Sequence, residues 1–540
     1  MKTRRSAKSK DAGIAPAENT TESARSQPSE GAMLDAAIIS AAEEATQEQA
    51  ARQDRGFGRR GLARRTVGAI GLTFVVTTSG RLLTTATTFV LARLLSPDDF
   101  GVANLGAVLL ALALPITDIG IAQALVRGQK DDLVTAARTA FWLVILLGVA
   151  LYALCLVAAG PLAVFYTEPK LAPVLQVIGI SIVVYSTSRI PSALLERELL
   201  YKAKVVPELA GSVVYAGLAI VLAALGLGFW SIVLATVARM FVISTGLFIV
   251  TRWRPGVGFD VRVAQELISY ARVLLASSML RLAYTNVDNM IVGKVQGVTP
   301  LGYYAMAYNL GNLPATQIAG AVGTGLFPAY ARMLPDEERI RGAMLLILRY
   351  TGLVISPITI VGIVATPSLV PIVLGAKWLP MTAALQVLLV YGWLRTIAPV
   401  YWMLILAADL RRHTLAINLW SLVVALVFAL PVVHFWGYVG IAVEFTVLEV
   451  FRTAWMALSV RNSFHVSSHS QLRQLWPGLG ASAMAALFLA AGLALLPSVS
   501  AVAAIGLVVA AGVVYLLLLV LLGQLGREQL VLAGALLQKR

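Results

Sequence analysis

Val90-Leu-Ala-Arg-Leu-Leu-Ser-Pro-Asp-Asp-Phe-Gly101 closes one apolar stretch and opens the next, and Ile291-Val-Gly-Lys-Val-Gln-Gly-Val-Thr-Pro-Leu-Gly302 does the same about 201 positions later. Arg93 falls on Lys294 and Gly101 on Gly302. Further along, Gly228-Phe-Trp-Ser-Ile corresponds to Gly437-Tyr-Val-Gly-Ile at an offset of about 209. Matched hydropathy and charge carry this repeat more than residue identity does. An even number of apolar spans separates the copies, so both units enter the bilayer in the same orientation, related by an axis along the membrane normal.

Outward from that repeat, apolar windows of bilayer-spanning length recur along the chain. They fall near 67–94, 101–125, 139–163, 171–193, 206–226, 229–251, 268–292, 301–327, 343–366, 381–405, 414–434, 438–460, 478–497 and 500–523. The chain is 58% hydrophobic and 13% charged, more apolar surface than a water-soluble protein can hide. Its net charge of +15 is spread between the spans and does not form a nucleic-acid footprint. Loops after even-numbered spans carry Arg127, Lys130 and Arg138, then Arg197, Lys202 and Lys204, then Arg252, Arg254 and Arg262. The same side continues with Arg332, Arg339, Arg341, Arg411, Arg412, Arg461 and Arg473. The opposite loops carry only Lys170, Lys294 and Lys377, and the first of them is acidic through Asp98 and Asp99. The positive-inside rule then makes both termini cytoplasmic.

Residues 1–65 differ in kind: polar, without an aromatic before Phe57, and without the apolar core and cleavage site of a signal peptide. They read as a disordered cytoplasmic tail, with a weak helix around 33–52 and a basic cluster at 56–65 that either attracts anionic lipid or acts as a stop fixing the orientation of the first span. The single cysteine, Cys155, rules out an internal disulfide. The four histidines show no HExxH spacing, and His465 and His469 lie in a Ser-rich loop, so no metal site is expected. No G-x-x-x-x-G-K-[ST] loop is present, so the chain holds no nucleotide site of that kind.

Charges inside the spans carry the functional reading. Arg81 shares a polar stripe with Thr73, Thr77, Thr84, Thr85 and Thr88 in the first span. Arg281 shares one with Ser277, Thr285, Asp288 and Asn289 in the seventh. An arginine near mid-bilayer costs about 2.5–3.5 kcal/mol on insertion scales, so it faces a protein interior or a watery cavity. Two of them at matching places point to a transporter with a cationic central chamber. Asn309, Asn312 and Thr316 line a face of the eighth span beside Tyr304 and Tyr308. Substrate contacts are expected from Arg81, Arg281, Asn289, Asn309, Asn312 and Tyr304. Coupling or gating is expected from Asp118, Asp288, Arg239, Arg395 and Glu444. The competing reading has Asp118 or Asp288 neutralising the arginines in internal ion pairs. Arg189, Glu208 and Arg349 lie near span ends and read as structural, and Glu449 and Arg452 are spaced to pair on one helix face.

Leu91-Ala-Arg-Leu-Leu-Ser-Pro-Asp-Asp-Phe-Gly101, Asp118-Ile-Gly-Ile-Ala-Gln-Ala-Leu-Val-Arg127, Asn286-Val-Asp-Asn-Met-Ile-Val-Gly293 and Leu301-Gly-Tyr-Tyr-Ala-Met-Ala-Tyr308 resemble Wzx-type polysaccharide flippases. These belong to the multidrug/oligosaccharidyl-lipid/polysaccharide exporter superfamily, and the likeness covers about 66–460. It implies an all-α integral membrane protein of about 14 transmembrane helices: two six-helix bundles around a central cavity, plus two C-terminal helices. The expected organisation is a tail at 1–65, bundles at 66–255 and 256–462, and the extra pair with a short tail at 463–540. The implied function is not enzymatic and uses no cofactor. It is flipping of an undecaprenyl-diphosphate-linked oligosaccharide to the outer leaflet of the bacterial inner membrane by alternating access. Partners would be the lipid-linked oligosaccharide, the bilayer, and a polysaccharide polymerase and chain-length regulator, with no nucleic acid. The alternatives are a peptidoglycan-precursor flippase or a cation-coupled drug exporter of the same superfamily, and more remotely a membrane-bound polymerase or ligase.

Overall fold

The computed structural model describes the backbone of residues 79–118, 133–198, 200–334, 336–408, 411–495 and 500–524, and within these the chain is helical without a strand. The tail expected at 1–65 and the start of the first span lie outside the described residues. So do the side chains of Asp118 and Arg281.

The helices follow in chain order. They are α1 (79–94), α2 (Pro97–Asp118), α3 (Leu133–Phe165), α4 (Leu171–Arg197), α5 (Tyr201–Ala224) and α6 (Trp230–Thr251). Next come α7 (Val261–Gln296), α8 (Val298–Gly311) and α9 (Gly320–Met333), the last two joined by a π-helical turn at Ala315–Ala319. The rest are α10 (Glu337–Val373), α11 (Thr382–Ala407), α12 (Arg411–Phe464), α13 (Ser468–Leu495) and α14 (Ala501–Leu521). Among the described residues, ten helices are long and apolar enough to cross a bilayer. The expected fourteen spans differ from these at the first span, at α7, at the α8–α9 pair, and at α12, which enters as one helix. A straight helix of the 54 residues in α12 would be about 81 Å long, against a hydrocarbon core of about 30 Å. The chain instead turns at Gly437, where φ is +63°, a conformation in which a side chain is strained.

The turn between α1 and α2 shows why the opening motif has its composition. Ser96 is the N-cap, Pro97 takes the first helical position, and Asp99 closes a capping box. The Asp99 backbone N–H donates to the Ser96 hydroxyl at 3.2 Å, and the Ser96 backbone N–H donates to the Asp99 carboxylate at 3.0 Å. The other carboxylate oxygen of Asp99 accepts from the Phe229 N–H at 2.9 Å, tying this turn to the start of α6.

The repeat read from sequence appears as reciprocal contacts between α2 and α8. A Cβ on Gly101 would lie 1.7 Å from the Val298 carbonyl oxygen, and one on Gly302 would lie 1.8 Å from that of Pro97. Each glycine therefore packs on the residue that corresponds, at the same offset, to the one packed against its partner. The basic residues that close the paired spans behave alike. Arg93 donates from Nε to the Val373 carbonyl at 2.7 Å and from Nη2 to that of Ile372, at the end of α10. Lys294 donates to the Phe165 carbonyl at the end of α3, with its Nζ 4.5 Å from the Phe165 ring centre. Each cation thus satisfies the orphan carbonyls and the negative dipole end of a helix from the other half.

Trp378, fully buried, adds a bond from Nε1 to the Ala92 carbonyl at 2.8 Å, and Lys377 bonds the Arg93 carbonyl at 2.8 Å. Lys170 pairs with Asp98 at 2.9 Å, which favours the charged ammonium and raises its pKa, and Thr299 donates to the same carboxylate at 3.2 Å. Together these contacts seal one end of the molecule. The last two helices attach to the second half. α13 lies along α10 through small residues, with Gly352 against Gly478, and the Tyr515 hydroxyl of α14 donates to the Leu353 carbonyl at 2.5 Å.

Candidate functional site: a cationic cavity between the halves

Beyond the sealed end the halves part around a cavity of about 1270 Å³, above the roughly 300–1000 Å³ of ordinary ligand pockets. Its wall comes from residues 80–88 of α1, 185–192 of α4, 204–212 of α5, 239–247 of α6, 309–317 around the π turn and 395–399 of α11. Val298 at the seal and Asn309 on the wall are eleven residues apart on α8, about 16 Å at the helical rise, so the chamber opens well inside the span.

The hydroxyl stripe of α1 faces this space. Thr84 and Thr88 each donate to the carbonyl one turn back, at 3.0 Å, which satisfies the hydroxyl proton and leaves lone pairs for the cavity. Arg81 lies on the same wall, largely exposed to it, and donates from Nη1 to the Thr316 carbonyl at 2.9 Å. That bond spans the cavity between the halves and uses a carbonyl in the π turn. Among the described residues Arg81 makes no ion pair.

Arg395 lines the opposite wall, with Nη1 2.9 Å from the Tyr308 hydroxyl and 3.4 Å from that of Tyr391. Arg239 sits 6.0 Å from the Tyr215 ring centre, and its Nε has no hydrogen-bond partner among the described residues. Arg189 lies over Tyr185 at 5.2 Å, and Lys204 is held by Glu196 at 2.6 Å. Among the described residues the wall therefore gathers Arg81, Arg189, Lys204, Arg239 and Arg395 against one lining carboxylate, Glu208, with Lys204 also paired to Glu196 behind it. Such an excess of positive charge in a recess within the membrane suits a polyanionic group.

Of the residues expected from sequence, Arg81, Asn309, Asn312, Arg239 and Arg395 line the cavity. Asn289 and Tyr304 do not. They surround Asp288, which is only 1% exposed: Tyr304 donates its hydroxyl to Oδ2 at 2.8 Å, and Asn289 donates its backbone N–H and its amide to Oδ1 at 2.8 and 3.1 Å. Asn104 of α2 then donates to Asn289 at 2.9 Å. A buried carboxylate needs such donors, which is why two residues read as substrate contacts turn inward to the packing of α2, α7 and α8. Glu444 is absent from the wall, and both its oxygens are buried without a hydrogen-bond partner among the described residues. Glu449 and Arg452 pair at 3.4 Å.

Sequence reasoning missed Arg189, Lys204 and Glu208 as wall residues. The signal was present as two further stripes, Tyr185-Ser188-Arg189-Ser192 on α4 and Lys204-Glu208-Ser212 on α5, each at helical spacing. Proximity to a span end was weighted above it.

The Asp288 cluster makes a separable prediction. Tyr304→Phe removes one donor from a buried carboxylate and should lower stability by about 1–3 kcal/mol, read as thermal unfolding in detergent. Unchanged stability would show that the Tyr304 hydroxyl does not hold the Asp288 carboxylate.

Comparison with known proteins places the chain. The family described as polysaccharide biosynthesis protein matches residues 90–383, more than half of the sequence. Among curated relatives, the lipopolysaccharide biosynthesis protein WzxC of Escherichia coli (strain K12) is 26% identical over 314 residues, 57% of this chain and 63% of WzxC. The succinoglycan biosynthesis transport protein ExoT of Rhizobium meliloti (strain 1021) is 24% identical over 290 residues, 54% of this chain and 58% of ExoT. The match thus spans less than two thirds of these relatives' own lengths. Among solved structures, the lipid II flippase MurJ in an inward closed conformation superposes with a TM-score of 0.65 at 15% identity, covering 84% of this chain and all of MurJ. An inward-facing multidrug resistance MATE family transporter of the MOP superfamily gives 0.54 at 17%, covering 72% and 96%. At those identities the likeness is one of fold. By the match over 90–383, this multi-pass membrane chain belongs to the polysaccharide biosynthesis protein family.

Proposed function

We propose that the chain flips an undecaprenyl-diphosphate-linked oligosaccharide from the cytoplasmic to the outer leaflet of the inner membrane, supplying surface polysaccharide assembly. The observation that carries this reading is the cavity wall, with five cationic side chains against one lining carboxylate among the described residues. A diphosphate needs many donors and counter-charges to leave water, and guanidinium groups supply both. The positive-inside rule puts the basic loops, the cavity side of the spans and both termini in the cytoplasm, and the sealed end outside. On that orientation the chamber receives substrate from the cytoplasmic leaflet while the outer seal is shut, and alternating access carries the head group across. Arg81, Arg281, Arg239 and Arg395 would contact the head group, Asn309 and Asn312 would contact the sugars it carries, and Asp118, Asp288 and Glu444 would serve coupling or gating. Asn289 and Tyr304 would act by holding Asp288.

An inside-negative potential favours outward movement of an anion, by about 2.3 kcal/mol per charge per 100 mV. A polymerase and a chain-length regulator would consume the product. A cation-coupled drug exporter fits less well, because a positive wall repels cationic cargo. The test is deletion of the gene followed by analysis of lipid-linked repeat units in right-side-out vesicles. Units piled up on the cytoplasmic leaflet, and cleared by reintroducing the wild type, are expected. Normal surface polysaccharide after deletion would remove the proposal.

A further inference from the structure

The cavity is divided chemically as well as by symmetry. Among the described residues, four of its five cations, Arg81, Arg189, Lys204 and Arg239, come from α1, α4, α5 and α6. The facing wall offers amides, Asn309, Asn312 and Gln317, and its one described cation, Arg395, is already engaged by two tyrosine hydroxyls. The unpaired atoms divide the same way. Asn312 is 8% exposed, and its Oδ1 has no partner among the described residues; neither has Oε1 of Gln317. On the cationic wall the unpaired atom is a donor, Nε of Arg239. A buried polar atom without a partner bears its full desolvation cost until a ligand pairs it. Asn309 and Asn312 precede the π-helical turn at Ala315–Ala319 and Gln317 lies within it, an insertion that turns side chains off the ordinary helical register and is frequent at binding sites.

We infer that Asn309, Asn312 and Gln317 form the sugar subsite of the cavity, reading hydroxyls of the lipid-proximal hexose while the cationic wall takes the diphosphate. Acceptors left open on one wall and a donor left open on the other complement a ligand with hydroxyl protons at one end and anionic oxygens at the other. A glycosyl diphosphate has that polarity. Amides both donate and accept, so they discriminate among hydroxyl arrangements, which a field of positive charge does not. The assignment rests on the flippase reading above.

The experiment measures binding to the full chain in nanodiscs. The probes are sugar-free undecaprenyl diphosphate and undecaprenyl diphosphate bearing glucose, galactose or N-acetylglucosamine. Wild type should bind at least one glycosylated probe about tenfold or more tightly than the sugar-free carrier. Asn312→Leu and Gln317→Leu, each near in size to the residue replaced, should erase that gap while holding affinity for the sugar-free carrier within about twofold. Retained carrier binding also reports that the variants are folded. A gap that survives both substitutions overturns the subsite, as does a matched loss for every probe in both variants. Wild type that binds the carrier without preferring any sugar sinks the subsite alone. Wild type that binds none of the four removes the flippase reading, and the subsite with it.

Discussion

If the chain is the flippase proposed above, replacing Arg81 with alanine is expected to cut lipid-linked oligosaccharide export by about 10–100-fold while leaving protein abundance in the membrane unchanged. A charge-assisted hydrogen bond contributes about 1.5–3 kcal/mol, and each 1.4 kcal/mol is tenfold. The side chain lies on the cavity wall without an ion pair among the described residues, so its charge is available to the head group. Abundance should hold because truncation strands no buried carboxylate; it frees only the Thr316 carbonyl at the cavity edge. The same substitution at Arg281, the matching position of the seventh span, is expected to act alike.

Two roles for Arg81 can be separated. If it serves only as a strut between the halves, the bond to Thr316 is what matters, and thermal stability should fall together with export. If it serves the substrate, Arg81→Lys should restore part of the activity, because charge survives while the forked donor geometry does not. Export that persists at wild-type levels in both Arg81→Ala and Arg281→Ala would leave the cationic chamber without a function. The readout is surface polysaccharide per cell, normalised to protein quantified in isolated membranes.

How far the sequence could be read depended on whether a residue's partner lies on its own helix, in the copied unit, or on an unrelated neighbour. The Ser96–Asp99 capping box and the Glu449–Arg452 pair are local and follow from spacing alone. Arg93 and Lys294 were visible as matched residues, but their acceptors, at the ends of α10 and α3, were not. A repeat announces that a symmetry axis exists without saying what lies across it. Polar stripes identify a face and not what it faces. The stripe of α1 opens on the cavity, whereas Asp288 and Asn289, equally stripe-like on α7, turn toward α8 and α2. Helical spacing cannot separate those outcomes, since a buried carboxylate with its donors and a ligand-binding face have the same periodicity. Arg189 and Glu208 were set aside for the opposite reason: nearness to a span end suggested escape into interfacial water, while the inter-half cavity reaches that depth and captures them.

Gly101→Ala and Gly302→Ala should each open the sealed end, the smallest possible substitutions having a large effect. An added methyl would lie 1.7 Å from the Val298 carbonyl in one case and 1.8 Å from that of Pro97 in the other, so α2 and α8 must separate by more than an ångström. Backbone cannot rotate aside as a side chain can, and the displacement is shared with Arg93, Lys294 and Trp378, whose bonds across the halves depend on the same approach. The cost to the sealed state is expected to exceed about 3 kcal/mol, at the severe end for single substitutions.

Because these contacts belong to the sealed arrangement, weakening them shifts the population toward any state in which the two helices part. The double variant should be scarcely worse than either single one, since both relieve one approach. With Cys155, the single cysteine, replaced by serine, Ala305→Cys provides a reporter one turn along α8 from Gly302, 4% exposed in the sealed form. A membrane-impermeant maleimide applied from outside should label it slowly in the otherwise wild-type protein and at least about tenfold faster with Gly101→Ala, a change in opening equilibrium of roughly 1.4 kcal/mol or more. Gly217→Ala is the matched control, because a Cβ there meets nothing within 4 Å. It should leave labelling unchanged and, as an alanine in a helix interior, stabilise by about 0.5–1 kcal/mol. Equal labelling rates in Gly101→Ala and Gly217→Ala would mean that the glycine contact between α2 and α8 does not hold the sealed end shut.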